Sequence, residues 1–268
     1  FTSDGFTVNN LRNGADNGTT NDNNLSYVGW AWDAGTSTVT NNDGSIASQV
    51  RAQPSAGFSI VSFTGTAANG SIGHGLNAAP GLIIAKSRSA SDNWFVYHSS
   101  IGANGYIMLN STAAADTSNS TVWQNVTPTN NVFYASTGGY NDSGVTLIAY
   151  CFAPVAGYSA MGSYIGNGST DGPFIYTGMK PRWIMIKRVT DGAENWRIVD
   201  TARDTYNLAD AELYANSSSA ELSSDLCDIL SNGFKIRVSF SGSNTSGKEY
   251  IWIAFAENPF QANGGLAR

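Results

Sequence analysis

Three stretches of the chain share one pattern of apolar positions: Tyr250-Ile-Trp-Ile-Ala-Phe-Ala256, Leu147-Ile-Ala-Tyr-Cys-Phe-Ala153 and Tyr27-Val-Gly-Trp-Ala-Trp32. Each is a short apolar and aromatic run reached through a Gly- or Asn-rich turn, which predicts a buried β-strand entered from a surface loop. The matches continue outside these runs. Gly57-Phe-Ser59 corresponds to Gly157-Tyr-Ser159, and Phe63-Thr-Gly65 to Tyr164-Ile-Gly166. Pro80-Gly-Leu-Ile-Ile-Ala-Lys86 corresponds to Pro181-Arg-Trp-Ile-Met-Ile-Lys187, Trp94 to Trp196, Asn110-Ser111 to Asn216-Ser217, and Phe133 to Phe234. The offset stays near about 100 residues and drifts by a few, as in a tandem repeat with small loop insertions.

Within the better-defined copy, seven strands are expected, around 58–64, 82–86, 94–97, 106–110, 121–123, 132–136 and 145–152. Short strands punctuated by Gly, Asn and Ser predict an all-β chain of tandem antiparallel β-sandwich modules, jelly-roll-like in form. The expected organisation is the C-terminal half of a first β module in 1–35, a linker or ordered arm in 36–56, a second module in 57–156 and a third in 157–268. The loose apolar spacing of 201–216 (Ala202, Leu208, Ala211, Leu213) predicts one or two helical turns on a long loop. Since Phe1 falls inside what reads as a module, the chain is expected to be a piece of a longer polypeptide, with the partners of residues 1–35 supplied from upstream or by another subunit.

Composition narrows the setting. The 268 residues are 41% hydrophobic but only 13% charged, about half the usual charged fraction, so neutral Gly, Ser, Thr and Asn must cover the surface. A net charge of −6 without a Lys/Arg cluster argues against nucleic acid. No run of about 18 apolar residues exists to insert in a membrane. Two cysteines make no disulfide framework; Cys151 falls at a small strand position and Cys227 has no counterpart.

Chemistry is sparse. Asp200, Asp204, Asp210, Glu212 and Glu249 are the carboxylates to weigh as a glycosidase pair, but the second module has no acidic partner at the matching positions. His74 and His98 could join a carboxylate at a metal, although turn residues bonding locally account for them more simply. The Asn/Asp/Gly loops 13–24, 41–44 and 141–144 lack the acidic spacing of a calcium loop. Neither catalytic residues nor a metal or other cofactor are therefore expected. Lys86 and Lys187 end matched strands with Arg88 and Arg188 close behind, so they either grip an anionic sugar or a neighbouring subunit or guard a strand end. Trp123 and Tyr140 fall outside the best-matched strands and are the aromatics expected to be exposed for surface or glycan contact.

A further set of strings carries a resemblance. Ala31-Trp-Asp-Ala-Gly35, Gly57-Phe-Ser-Ile-Val-Ser-Phe-Thr-Gly65, Gly73-His-Gly75 before Pro80, Gly166-Asn-Gly-Ser-Thr-Asp-Gly-Pro173, Ser231-Asn-Gly-Phe234 and Ala254-Phe-Ala-Glu-Asn-Pro-Phe260 resemble the repeat modules of marine bacteriophage virion proteins. The resemblance implies a structural, non-enzymatic component of an extracellular virion, such as a tail fibre or similar appendage touching host-surface glycan. Its partners would be other virion proteins and copies of itself, by analogy with viral fibres as a homotrimer. A capsid decoration protein, a bacterial surface filament subunit and a polysaccharide depolymerase are the alternatives.

Overall fold

The structure, a computed structural model, describes residues 5–8, 23–118, 121–137 and 139–258. The chain divides into two compact units, Phe1–Trp32 and Asp33–Arg268. Among the described residues of the first unit there is no strand, and the stretch containing Tyr27 to Trp32 forms no ladder. This corrects the expectation of a third strand copy there. Leu25, Tyr27 and Val28 are exposed, and the ring of Phe6 lies against Gly29. The loop 9–22 lies outside the described residues.

The second unit is built of antiparallel strands. They begin with β1 (Val39–Asn41) and β2 (Ser48–Gln53), so the 36–56 segment is an arm with structure of its own. Next come β3 (Phe58–Thr64), β4 (Gly70–Gly73), β5 (Leu82–Ser87), β6 (Phe95–His98), β7 (Ile107–Met108), β8 (Val132–Ala135) and β9 (Thr146–Phe152). The last group is β10 (Ser159–Ile165), β11 (Phe174–Tyr176), β12 (Pro181–Arg188), β13 (Arg197–Asp200), β14 (Ala209–Tyr214), β15 (Leu222–Leu230), β16 (Gly233–Ile236) and β17 (Glu249–Ala256).

The two repeats pair their strands alike. One sheet contains β3-β9-β5-β6-β7 and the other β10-β17-β12-β13-β14, while β4 pairs with β8 as β11 pairs with β16. The register is shared at the far end of this ladder, with Phe63 opposite Leu147 and Tyr164 opposite Tyr250, whereas at the near end Phe58 lies opposite Phe152 but Ser159, one position later in the repeat, lies opposite Phe255. Gly57 and Gly157 open the two repeats with φ of 63° and 75°, a left-handed conformation that glycine adopts without steric cost. At Gly57 a side chain would also collide with the carbonyl of Ala153.

Asparagines, two of them fully buried, fasten the same loops in both copies. Asn141 accepts from the Thr66 N–H and donates to the Ala68 carbonyl; Asn244 accepts from the Asn167 N–H and donates to the Ser169 carbonyl. Asn110 accepts from the Trp94 N–H and Asn216 from the Trp196 N–H. An amide offers both donors and an acceptor, so one side chain satisfies loop peptides that no ladder reaches. These contacts explain the wealth of Asn better than loop composition does.

The copies differ in two places. In the third module β15 joins β14 to β16, so eight strands form a nearly closed sheet; in the second, 121–123 is a turn and not the expected strand. Conversely, β2 and β1 extend the second module's sheet at β3, and Ile46 bridges to Ile72 in β4, a strand the apolar pattern did not announce. The segment 201–216 carries β14 instead of helical turns, because residues 209–214 find ladder partners on both sides, in β13 and β15, with an irregularity between Ala209 and Ala211 and with Ala209 and Glu212 as the buried members.

Each repeat has its own core. Phe63, Ile83, Tyr97, Phe133 and Ala149 belong to one; Tyr164, Ile186, Leu226, Phe234 and Trp252 belong to the other. The opposite face of β17 is buried too, through Ile251, Ile253 and Phe255. On that side Phe255 meets Phe152 at 5.7 Å, the Trp196 Nε1–H donates to the Met108 carbonyl at 2.9 Å, and the Ala115 N–H donates to the Val189 carbonyl at 3.0 Å. The two repeats are thus welded through the backs of their sheets. Phe255→Ala should lower the unfolding free energy by about 3–5 kcal/mol, the usual cost of deleting a buried ring. Calorimetry of the wild type should show residues 33–258 melting in one transition, and a separate melt for each repeat would contradict the weld.

Candidate functional site

The six residues singled out by sequence separate. Trp123 and Tyr140 are each only 1% exposed, so neither is available for surface contact. Their rings pack 5.4 Å apart in the second module's core, and Tyr97 meets Trp123 edge-on at 5.9 Å. They sit in turns, and those turns fold inward over the part of the core that β15 covers in the third module. Being outside a strand did not mean being outside the core.

Lys187 and Arg188 are also buried. The Lys187 ammonium donates to the Thr112 carbonyl at 3.0 Å, across the seam between repeats, and burial draws its pKa down to about 8. Arg188 pairs with Asp191 and donates to the Thr190 carbonyl at 2.9 Å. Lys248 reaches the other oxygen of Asp191 at 2.6 Å, and the two cations hold that carboxyl below its usual range. Lys86 is half-buried and bonds the Ser87 and Ala90 carbonyls, closing its own strand end. Only Arg88 is exposed, beside an open groove of about 290 Å³ with Gln49, Ser62, Thr64 and Thr146 along it.

Several acidic groups have structural partners. Asp200 caps the turn after β13, accepting from the N–H groups of Ala202 and Arg203 and from Arg203 Nε at 2.8 Å. Glu212 is buried and pairs with Arg197, whose guanidinium lies 4.4 Å from the centre of the Phe240 ring. Asp204 accepts from the N–H groups of Asp210 and Ala211; burial first, then the nearby Asp210 carboxyl, raises its pKa.

Both histidines are buried and adopt one arrangement. In each, Nε2–H donates to a carbonyl, of Thr129 for His74 and of Trp252 for His98, while Nδ1 accepts from a backbone N–H two residues on. His98 therefore bonds across the seam, 154 positions along the chain, instead of locally. Neutral imidazole is required by these partners, and burial lowers the His98 pKa to about 4. Both thiols are free, buried and pushed up by burial, with Cys151 and Cys227 in different cores. Among the described residues no three His, Cys, Asp or Glu side chains are placed to share a metal ion. No helix among them is long and apolar enough to cross a membrane.

The site with the most to offer a ligand lies on the third module. A cleft of about 310 Å³ is lined by Lys180, Thr201, Asp204, Tyr206, Asn207 and Glu257. Tyr206 is 86% exposed. Its loop is braced, because the Asn207 amide both donates to the Ile229 carbonyl at 3.0 Å and accepts from the Ile229 N–H at 2.9 Å. Lys180 and Glu257 form an ion pair of 2.7 Å on the wall. A flat exposed ring beside a polar wall is an arrangement that stacks on a sugar while hydrogen-bonding its hydroxyls. Sequence reasoning passed over Tyr206; its signal is a lone aromatic inside the polar run Asp204-Thr-Tyr-Asn207.

A family model described as a domain of unknown function, DUF7483, matches residues 1–259, and the chain belongs to that family. The match covers both repeats and the segment before them as one unit. No curated protein and no solved structure matches the chain.

The buried charges make stability depend on pH and on pairing. The contribution at His98 is complete above pH 6.5, where both folded and unfolded imidazoles are neutral, and is lost as pH falls toward about 4, because the unfolded chain protonates first. The wild type should therefore lose roughly 3 kcal/mol more than His98→Gln over that window, read from urea melts at stepped pH. Glu212→Leu should cost about 3–5 kcal/mol by stranding Arg197, and adding Arg197→Met should recover most of it. A double variant no more stable than the single one would show that the pair itself contributes.

Proposed function

We propose that the chain is a structural segment of an extracellular bacteriophage appendage, of tail-fibre type, that presents a glycan-contacting cleft at Tyr206. In this reading each repeat is a jelly-roll-like sandwich, with its outer strand pairs nested as β10–β17 around β11–β16. The weld between repeats makes a stiff building block, and its neutral polar surface suits an exposed particle component. The observation that carries the binding role is the Tyr206 ring, held out by the Asn207 brace over a polar cleft. Ion pairing of Asp200 and Glu212 with arginines supports a binding role over hydrolysis.

Binding is tested by titrating envelope polysaccharide fragments from the host bacterium against the protein by NMR. Tyr206→Ala should weaken binding about tenfold with no loss of folding, matching a stacking contribution of about 1 kcal/mol. Unchanged affinity would remove the cleft from the proposal, and release of reducing ends would point instead to a depolymerase. Immunogold labelling of phage particles carrying the chain separates a fibre from a capsid decoration.

A further inference from the structure

Among the described residues, the arm that completes the second module has no counterpart on the third. In the second module, β3 lies between β9 and β2, so both of its edges are paired. The matching strand β10 pairs, among the described residues, with β17 alone. The hydrogen bonds flanking that ladder run from the Ala256 N–H to the Tyr158 carbonyl and from the Gly166 N–H to the Lys248 carbonyl. Alternation then directs the peptide groups of residues 160, 162 and 164 toward β17 and those of Ser159, Met161, Ser163 and Ile165 away from it. Ser159 is satisfied by Val155. Among the described residues, Met161, Ser163 and Ile165 present an open ladder position, the first two at the places where β3 pairs with Arg51 and Gln49 and the third one step beyond the end of that ladder.

Open edges are ordinarily guarded by Lys, Pro, a bulge or a covering loop. β10 reads Ser-Ala-Met-Gly-Ser-Tyr-Ile and has neither charge nor proline, and its register against β17 runs without a shift. Ser163 is exposed, and Ile165 is 57% exposed beside it. We propose that this edge is a self-association site, where β10 of a second copy adds antiparallel across a two-fold axis at Ser163. That register uses each of the three open residues: Ser163 faces Ser163 of the other copy, and Met161 faces Ile165 twice. These pairs place the exposed Ile165 beside the Met161 stem, whose thioether rests against Gly81 of the second repeat, and a strand without charge meets its own copy without like-charge repulsion. A single strand pair buries less than the roughly 1,200 Å² of a stable interface, so the dimer is weak and concentration-dependent.

The test is sedimentation from micromolar to hundreds of micromolar protein, with two variants. Ser163→Pro deletes an N–H that faces away from β17, at an edge position where proline is tolerated. It should weaken the dimer at least tenfold while circular dichroism and melting temperature stay those of the wild type. Ser163→Cys should give a disulfide-linked dimer on mild oxidation, reversed by reductant. The wild type should give none, because Cys151 and Cys227 are buried. A wild type that stays monomeric, together with a Ser163→Cys variant that forms no crosslink, overturns the proposal. So does a trimer or larger species that survives Ser163→Pro.

Discussion

The structure depends on burying both faces of β17. Tyr250, Trp252 and Ala254 point into one core while Ile251, Ile253 and Phe255 are buried on the other side, so one strand serves the inside of its module and the junction with its neighbour. A strand with one wet face would alternate apolar and polar residues; this one is apolar throughout because neither face meets water. β9 supplies the opposing surface, with Phe152 stacked on Phe58 at 4.6 Å and touching Phe255. Fully burying side chains of this size stabilises by about 1.5–3 kcal/mol each. Separating the repeats would expose that surface and leave the carbonyls of Thr112, Met108 and Trp252 without their cross-seam donors.

Polar chemistry at the junction follows from the same constraint. Three backbone carbonyls are removed from water where the sheets meet, and each needs a donor: that of Thr112 in the loop after β7, that of Met108 at the end of β7 and that of Trp252 within β17. Lys187, Trp196 and His98 provide one each, reaching from one repeat to the other. The demand explains a lysine kept at a pKa near 8 in a buried site and a histidine held neutral: both act as donors whose charge is incidental or excluded. Lys86, at the matching position of the second module, meets no such demand and folds back on its own strand end. Matching positions in a tandem pair acquire different burial because only one member of each pair faces the seam.

This distinction also sets what could be read from sequence. The repeat, its offset and the strands of the 58–64, 82–86 and 145–152 type were legible, because continuous or alternating apolar runs between glycine turns have few other solutions. β4 was not, since Gly-Ser-Ile-Gly carries one apolar residue and becomes a strand only by pairing with β8. Tyr27–Trp32 shared the apolar pattern of the closing strand but forms no ladder, which shows that composition makes a strand only where partners exist. Trp123 and Tyr140 were placed on the surface by their position in loops, whereas a sandwich with an incomplete second sheet fills the gap with large turn side chains. Burial of Lys187 was invisible for a different reason: nothing local distinguishes it from Lys86.

The two features with the most to offer a partner both sit where the repeats diverge. Shared positions are consumed by shared tasks: the paired strands, the asparagine fasteners and the opening glycines do the same work twice. The Tyr206 loop belongs to the insertion between β13 and β14, whereas β6 and β7 are joined by a connection of similar place but without that exposed ring. The open edge of β10 exists because the chain preceding it, β9, is already enclosed in the second module and cannot fold back as β2 does on β3. An upstream arm completes the second module, and among the described residues no strand does the same for the third. Among the described residues, the β10 edge is thus left without a strand partner where the second copy of this sheet follows the first, and the neutral sequence of β10 leaves that edge able to accept another strand.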